Sequence, residues 1–236
     1  MSQWYPRARP SRPLLATAAA GATEVTEAAR LELRTGRAWR REPVYVPGEL
    51  TGQQASGRGE SAVNVLETDR LILRWLSADD AEFVLGLVNE PSWLQFIGDR
   101  GVRSLNDARA YIQNGPAAMY NRFGFGLYLV QRKEDGARLG MCGLIKREGL
   151  ADVDIGFAFF PRFWSKGYAY EAAAAVMDHG RALGLRRIVA ITSPDNQSSI
   201  KLLQKLGMKF ERNMTLPGPS SEVMLFGSTF DQPGGA

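Results

Sequence analysis

The chain has 236 residues, 44% hydrophobic and 23% charged, the proportions of a globular protein with one good-sized domain, with or without a tail. One cysteine (Cys142) excludes an internal disulfide and a cysteine-based zinc site, one histidine (His179) excludes a multi-histidine metal site, and no run approaches ~18 apolar residues, so no spanning helix is expected. The net charge of +4 falls mostly in residues 1–62, with nine Arg against six Glu; residues 63–236 hold 20 basic and 19 acidic residues, too even a balance for a duplex-binding domain. Neither nucleic acid nor a membrane is therefore an expected partner, and the lone cysteine suits a cytoplasmic location.

Residues 1–62 mix Arg, Pro, Ala, Gly and Thr without a sustained hydrophobic period, and "PRARPSRP" and "TGQQASGRGES" read as linker. A disordered N-terminal extension over 1–62, ahead of a domain at 63–236, is expected. Regular structure starts at Leu66, where "LETDRLILRWL" alternates like one strand. "SADDAEFVLGLVNE" has a capping Ser77 and early acids, then Phe83, Val84, Leu87 and Val88 at helical spacing. "SLNDARAYIQN" predicts a second helix, and Pro116 begins a further turn. Strands are expected over Phe125–Arg132, Arg138–Arg147 and Val153–Phe160, the first two joined by a "KEDGA" hairpin turn. Helix follows over 168–183, strand over Arg187–Thr192, and helix over 196–206 with Gly207 as its cap; strands Lys209–Leu216 and Glu222–Phe230 flank "PGPSS". The order is βαα-βββ-αβ-αββ. It predicts antiparallel neighbours and one parallel pair where strand, helix and strand follow in succession.

The stretch "FFPRFWSKGYAYEAAAA" brings a strand end, a basic glycine turn and a helix start together. Unpaired amides and the helix dipole at such a start suit an anion, Gly167 allows close approach, and Lys166 adds charge. Neither the phosphate loop of ATPases nor the three spaced glycines of dinucleotide folds is present. The turn alone is equally the plain beginning of a helix.

Further motifs stand beside it. Leu66, Thr68, Arg70, Leu71, Leu73 and Arg74 form an "L-x-T-x-R-L-x-L-R" start; Ile155-Gly156-Phe157 precedes the turn; Trp164 to Ala172 follow "W-G-x-G-Y-A-x-E-A"; Asn196 to Met208 follow "N-x-x-S-x-x-L-L-x-K-L-G-F". Together, across about residues 66–230, they resemble the GNAT superfamily of acyl-CoA-dependent N-acyltransferases, most closely its RimJ/RimL-like branch. The resemblance implies a mixed α/β fold: a mostly antiparallel central sheet with a splayed parallel pair, flanked by helices. It implies acetyl-CoA as co-substrate, a primary amine as acceptor (a protein N-terminus or a small molecule), no metal, and a monomer or homodimer. The pantetheine arm would lie along Phe157 to Phe160, and the pyrophosphate on the amides of Trp164, Ser165, Lys166, Gly167, Tyr168 and Ala169. Asn196 would touch the cofactor arm as well as cap its helix. Trp93 and Phe96 would wall the acceptor pocket.

Asp154 is the carboxylate that would take the amine proton, with an exposed edge-strand acid as the plainer alternative. Glu171 is explained by the helix dipole. Leu203 stands where many members carry the tyrosine that protonates the leaving thiolate, so the nearest hydroxyl, Ser199, is the candidate for that role and for a cofactor contact. Ser165 replaces a usual glycine and is accommodated if its φ is negative. A free α-amine, roughly 10–20% neutral at pH 7, reacts with only a modest base; a lysine amine is neutral less than about 0.1% of the time. The alternative to an enzyme is a non-catalytic acyl-CoA-binding module that keeps the fold and turn.

Overall fold

The computed structural model describes residues 63–215 and 222–230; the expected extension over 1–62 lies outside them. Within these residues eight strands form one sheet: β1 (Asn64–Glu67), β2 (Leu71–Arg74), β3 (Leu127–Arg132), β4 (Arg138–Ile145), β5 (Val153–Phe159), β6 (Arg187–Thr192), β7 (Lys209–Thr215) and β8 (Glu222–Thr229). The spatial order is β1-β2-β3-β4-β5-β6-β8-β7. All neighbours are antiparallel except β5 and β6, which are parallel.

Six α-helices among the described residues cover the two faces: α1 (Ala81–Val88), α2 (Pro91–Phe96), α3 (Leu105–Ile112), α4 (Ala118–Phe123), α5 (Tyr168–Ala182) and α6 (Gln197–Lys205). The period-2 alternation of the strands divides the core. Val130, Cys142, Leu144 and Ile155 pack with Ala172, Val176 and Leu203 of α5 and α6. Leu129, Met141 and Phe160 pack with Val84, Trp93 and Ile112 of α1 to α3 on the other face. The mixed fold with one parallel pair is the one the resemblance implies.

Three local features differ from the sequence reading. The single strand expected at Leu66 is a hairpin, because Thr68 closes a turn: its N–H donates to Leu71 O (2.9 Å) and its Oγ1 accepts from Leu71 N–H (3.0 Å). "PSWLQF" is helical, with Pro91 at its first position, where a missing N–H costs nothing. The predicted turn at Pro116 is a π-helical stretch, Gln113–Ala117, that carries α3 into α4. Behind α1, Arg74 grips buried Asp80 through two bonds of 2.8 Å, and the Ser77 N–H donates to the same carboxylate at 3.0 Å.

The feature that matters for function is the β5–β6 junction. These strands pair only at Val153↔Ile188 and Asp154↔Val189. Beyond Asp154, β5 continues to Phe159 and β6 to Thr192 without pairing, so the two strands splay.

Candidate active site

A cavity of about 910 Å³ opens at this splay, walled by β5, β6, α2, the turn after β5 and the start of α6. Of the residues singled out from sequence, Asp154, Phe157, Phe159, Trp164, Ser165, Gly167, Tyr168, Ala169, Asn196 and Ser199 line it, as do Trp93 and Phe96; Phe160 and Lys166 do not.

Strand register decides which backbone groups face the gap. Phe160 N–H donates to Leu139 O on the β4 side (3.0 Å), and in an antiparallel ladder alternate residues share that direction. Phe157 and Phe159 therefore turn their amides toward the gap, whereas Phe160 turns away. Its carbonyl accepts from Phe163 N–H, and its ring packs edge-on against Phe83. The expected pantetheine edge accordingly shrinks to Phe157 and Phe159. The Phe159 carbonyl is already engaged by the Trp164 indole N–H at 2.8 Å.

The turn after β5 presents free backbone amides at a helix start, and it departs from the sequence expectation in two ways. Trp164 N–H is committed to Pro161 O (3.0 Å), so this residue braces the turn with both its N–H groups and offers none. Ser165 has φ 60, not the negative value that would suit serine; the turn takes the left-handed conformation that glycine adopts freely. Gly167, φ 82, caps α5, and the amides of residues 165–170 have no backbone acceptor among the described residues. Lys201 and Lys205 line the cavity further along, the latter over the Tyr170 ring at 4.4 Å.

On the α1–α3 face of the splay lies Asp154, 1% exposed. It is no solvated edge acid. Its Oδ2 accepts from Arg147 Nε at 3.0 Å and from Arg147 Nη2, while Oδ1 has no hydrogen-bond partner among the described residues. Burial pushes this carboxyl above its usual value; the Arg147 guanidinium and the nearby Ile191 N–H offset only part of that shift. Sequence spacing concealed Arg147, which meets Asp154 only because β4 and β5 are antiparallel. Trp93 Nε1 is another buried polar atom in the wall without a hydrogen-bond partner among the described residues.

At the opposite wall, Asn196 caps α6 by accepting from Ser199 N–H at 3.1 Å. Ser199 is half-buried and its hydroxyl makes no hydrogen bond to the described residues; one turn on, Leu203 is 1% exposed and fills the core. Cys142 is fully buried, which pushes its thiol far up and removes it as a nucleophile. His179 faces Tyr128 Oη at 3.4 Å from α5, away from the cavity lining.

A splayed parallel pair, an amide-rich turn at the helix start behind it and a cavity through the gap define an acyltransferase scaffold. The family model of the Acetyltransferase (GNAT) domain matches residues 70–209, and the chain belongs to that family. The uncharacterized N-acetyltransferase YoaA of Bacillus subtilis (strain 168) is 33% identical over 150 residues, covering 62% of this chain and 84% of YoaA. RimL, a ribosomal L7/L12 alpha-N-protein acetyltransferase solved in complex with coenzyme A, shares the fold with a TM-score of 0.61 at 21% identity, covering 72% of this chain and 99% of RimL. The Microcin C7 self immunity acetyltransferase MccE, solved with acetyl-CoA and AMP, superposes with a TM-score of 0.60 at 17% identity, covering 69% of this chain and 94% of MccE.

Proposed function

We propose that the protein transfers an acetyl group from acetyl-CoA to a primary amine, either a protein N-terminus or a small molecule, by direct attack. The observation that carries this is the gap between β5 and β6, with free donors on one side and the unpartnered Asp154 Oδ1 on the other. Coenzyme A and acetyl-CoA bound by the structural neighbours RimL and MccE support the choice of donor. The pantetheine arm would hydrogen-bond to Phe157 and Phe159, and the pyrophosphate would lie on the amides after Trp164. The thioester then rests between Asp154 and Ser199. The neutral amine attacks the thioester carbonyl carbon, Asp154 Oδ1 takes the amine's proton directly or through one water, and the carbon–sulfur bond breaks. The Ser199 hydroxyl stabilises the departing thiolate and passes it a proton, which solvent water returns to Ser199. Fixing the two reactants in this geometry supplies up to roughly 7–11 kcal/mol of the barrier.

Two measurements test the reading. Acetyl-CoA at about 100 times its Kd is expected to stabilise the fold by about 2.7 kcal/mol; no rise in melting temperature at millimolar donor would remove acetyl-CoA. Thiol release across a panel of α-amino and alkyl amines identifies the acceptor. Binding without thiol release to any amine would make the chain a non-catalytic acyl-CoA-binding module.

A further inference from the structure

Glu171 is an awkward residue for an anion site: a carboxylate in the first turn of α5, directly behind the amides proposed to hold a pyrophosphate. Its geometry shows what offsets it. Oε1 accepts from Thr68 Oγ1 (2.5 Å) and Arg70 N–H (3.0 Å), and Oε2 accepts from Arg70 Nε (2.7 Å) and forms an ion pair with Nη2 at 2.6 Å. The same guanidinium donates through Nη1 to Lys166 O (3.2 Å) and stacks on the Tyr168 ring at 4.6 Å. Glu171 is largely covered, whereas Arg70 is about half exposed, 18% against 48% for the side chains. Burial pushes the Glu171 carboxyl up, but the bonds from Thr68 and Arg70 outweigh it, so the group stays ionised. The β1–β2 turn is thereby tied to the loop across about 100 residues of chain.

We propose that Arg70 is a positioning residue for the acyl donor: it neutralises Glu171, so that the carboxylate braces the loop without repelling the pyrophosphate. This rests on the reading of residues 165–169 as the pyrophosphate site. Glu171 supplies the brace through Thr68 and the Arg70 amide. Arg70 supplies the compensating charge and holds the Lys166 carbonyl back, away from the ligand.

The test compares acetyl-CoA with S-acetylpantetheine, which keeps the thioester and the pantetheine arm but lacks the pyrophosphate. In the wild type, equal KM for the two donors would defeat the assignment of the loop itself, independently of Arg70. Given a lower KM for acetyl-CoA, Arg70→Ala is expected to raise that KM about tenfold, leave kcat within about twofold, and leave the KM for S-acetylpantetheine unchanged. Arg70→Ala with Glu171→Gln is expected to recover at least about threefold of the lost affinity, because no uncompensated charge remains. A KM for acetyl-CoA that stays at the wild-type value, an equal loss with both donors, or a double variant no better than Arg70→Ala would overturn the proposal. If Arg70→Ala does not fold, Arg70→Lys is the second variant. It loses the fork and the ring contact but keeps the charge, which is the proposed cause, so it is expected to hold KM within about threefold, and a tenfold rise there would equally overturn the assignment to charge.

Discussion

Ser165 carries a left-handed backbone that glycine would adopt without strain, and the Ser165→Gly exchange has a calculable effect. An L-residue in that region costs about 1–2 kcal/mol. Glycine removes this cost but brings more freedom in the unfolded chain, worth about 0.5–1 kcal/mol. The side chain is exposed and makes no hydrogen bond to the described residues, so little else changes. The net gain is about 0.5–1 kcal/mol, or about 1–4 °C in melting temperature for a chain of this size. Ser165→Val should move the opposite way, since a β-branched residue tolerates φ 60 still less. The assay is a thermal melt without ligand, paired with acetyl-CoA titration by calorimetry, where Ser165→Gly keeps Kd within about twofold because the loop amides do not move. A lower melting temperature for Ser165→Gly, or a Ser165→Val protein as stable as wild type, would refute the backbone assignment.

Ser199→Ala should lower kcat at least about tenfold with a smaller effect on acetyl-CoA Kd; an unchanged kcat would leave thiolate protonation to water. Because burial raises the Asp154 carboxyl, kcat/KM should fall toward acid from a point above the ordinary carboxylate range, and Asp154→Asn should abolish that limb while lowering kcat; a limb that persists in Asp154→Asn would assign it to another group. Asp80 behaves oppositely: burial pushes it up, but the bonds from Arg74 and the Ser77 N–H prevail and hold it below its ordinary 3.8. Its contribution to stability is therefore complete above that value and lost as pH falls through the lower folded value. Asp80→Asn, which leaves Arg74 buried without its anion, should cost about 3–5 kcal/mol at neutral pH and flatten the acid side of the stability profile, measured by denaturant titration across pH. Removal of residues 1–62, suggested by their aperiodic composition, should leave fold and activity intact; an insoluble 63–236 fragment would show that the extension packs on the domain.

The elements most legible in the sequence were those with a local signature. β6 lies over Arg187–Thr192 as expected, and α5 and α6 lie within a residue or two of expectation, since alternation, a glycine start and an Asn cap each act over one or two turns. The hairpin at Thr68 was missed because its turn contains no glycine and is held instead by a side-chain oxygen. Helix α2 was missed although Pro91 at its first position was a readable signal. In the site, the residue types were legible and their directions were not. Phe160 looked equivalent to Phe157 and Phe159 until register turned it toward β4. Arg147 beside Asp154, and Arg70 beside Glu171, are meetings made by strand pairing and helix packing, which no spacing rule encodes.

The sparse pairing between β5 and β6 has a consequence for how the molecule opens. Two residue pairs are the whole main-chain seam between a five-strand ladder, β1 to β5, and a three-strand ladder, β6 with β8 and β7. Coherence across the seam comes from side chains, with Ile188, Ala190 and Phe226 reaching into the shared core under α5. Sheets divided in this way can open in parts, and the smaller ladder is the natural unit to detach at a free energy below that of global unfolding. Amide exchange should register this as an earlier, collective loss of protection over 187–192 and 222–229 than over β3 and β4. A bound pantetheine arm, hydrogen-bonded like a short extra strand, would act as the missing stitch, so donor binding should slow exchange in the small ladder more than in the large one.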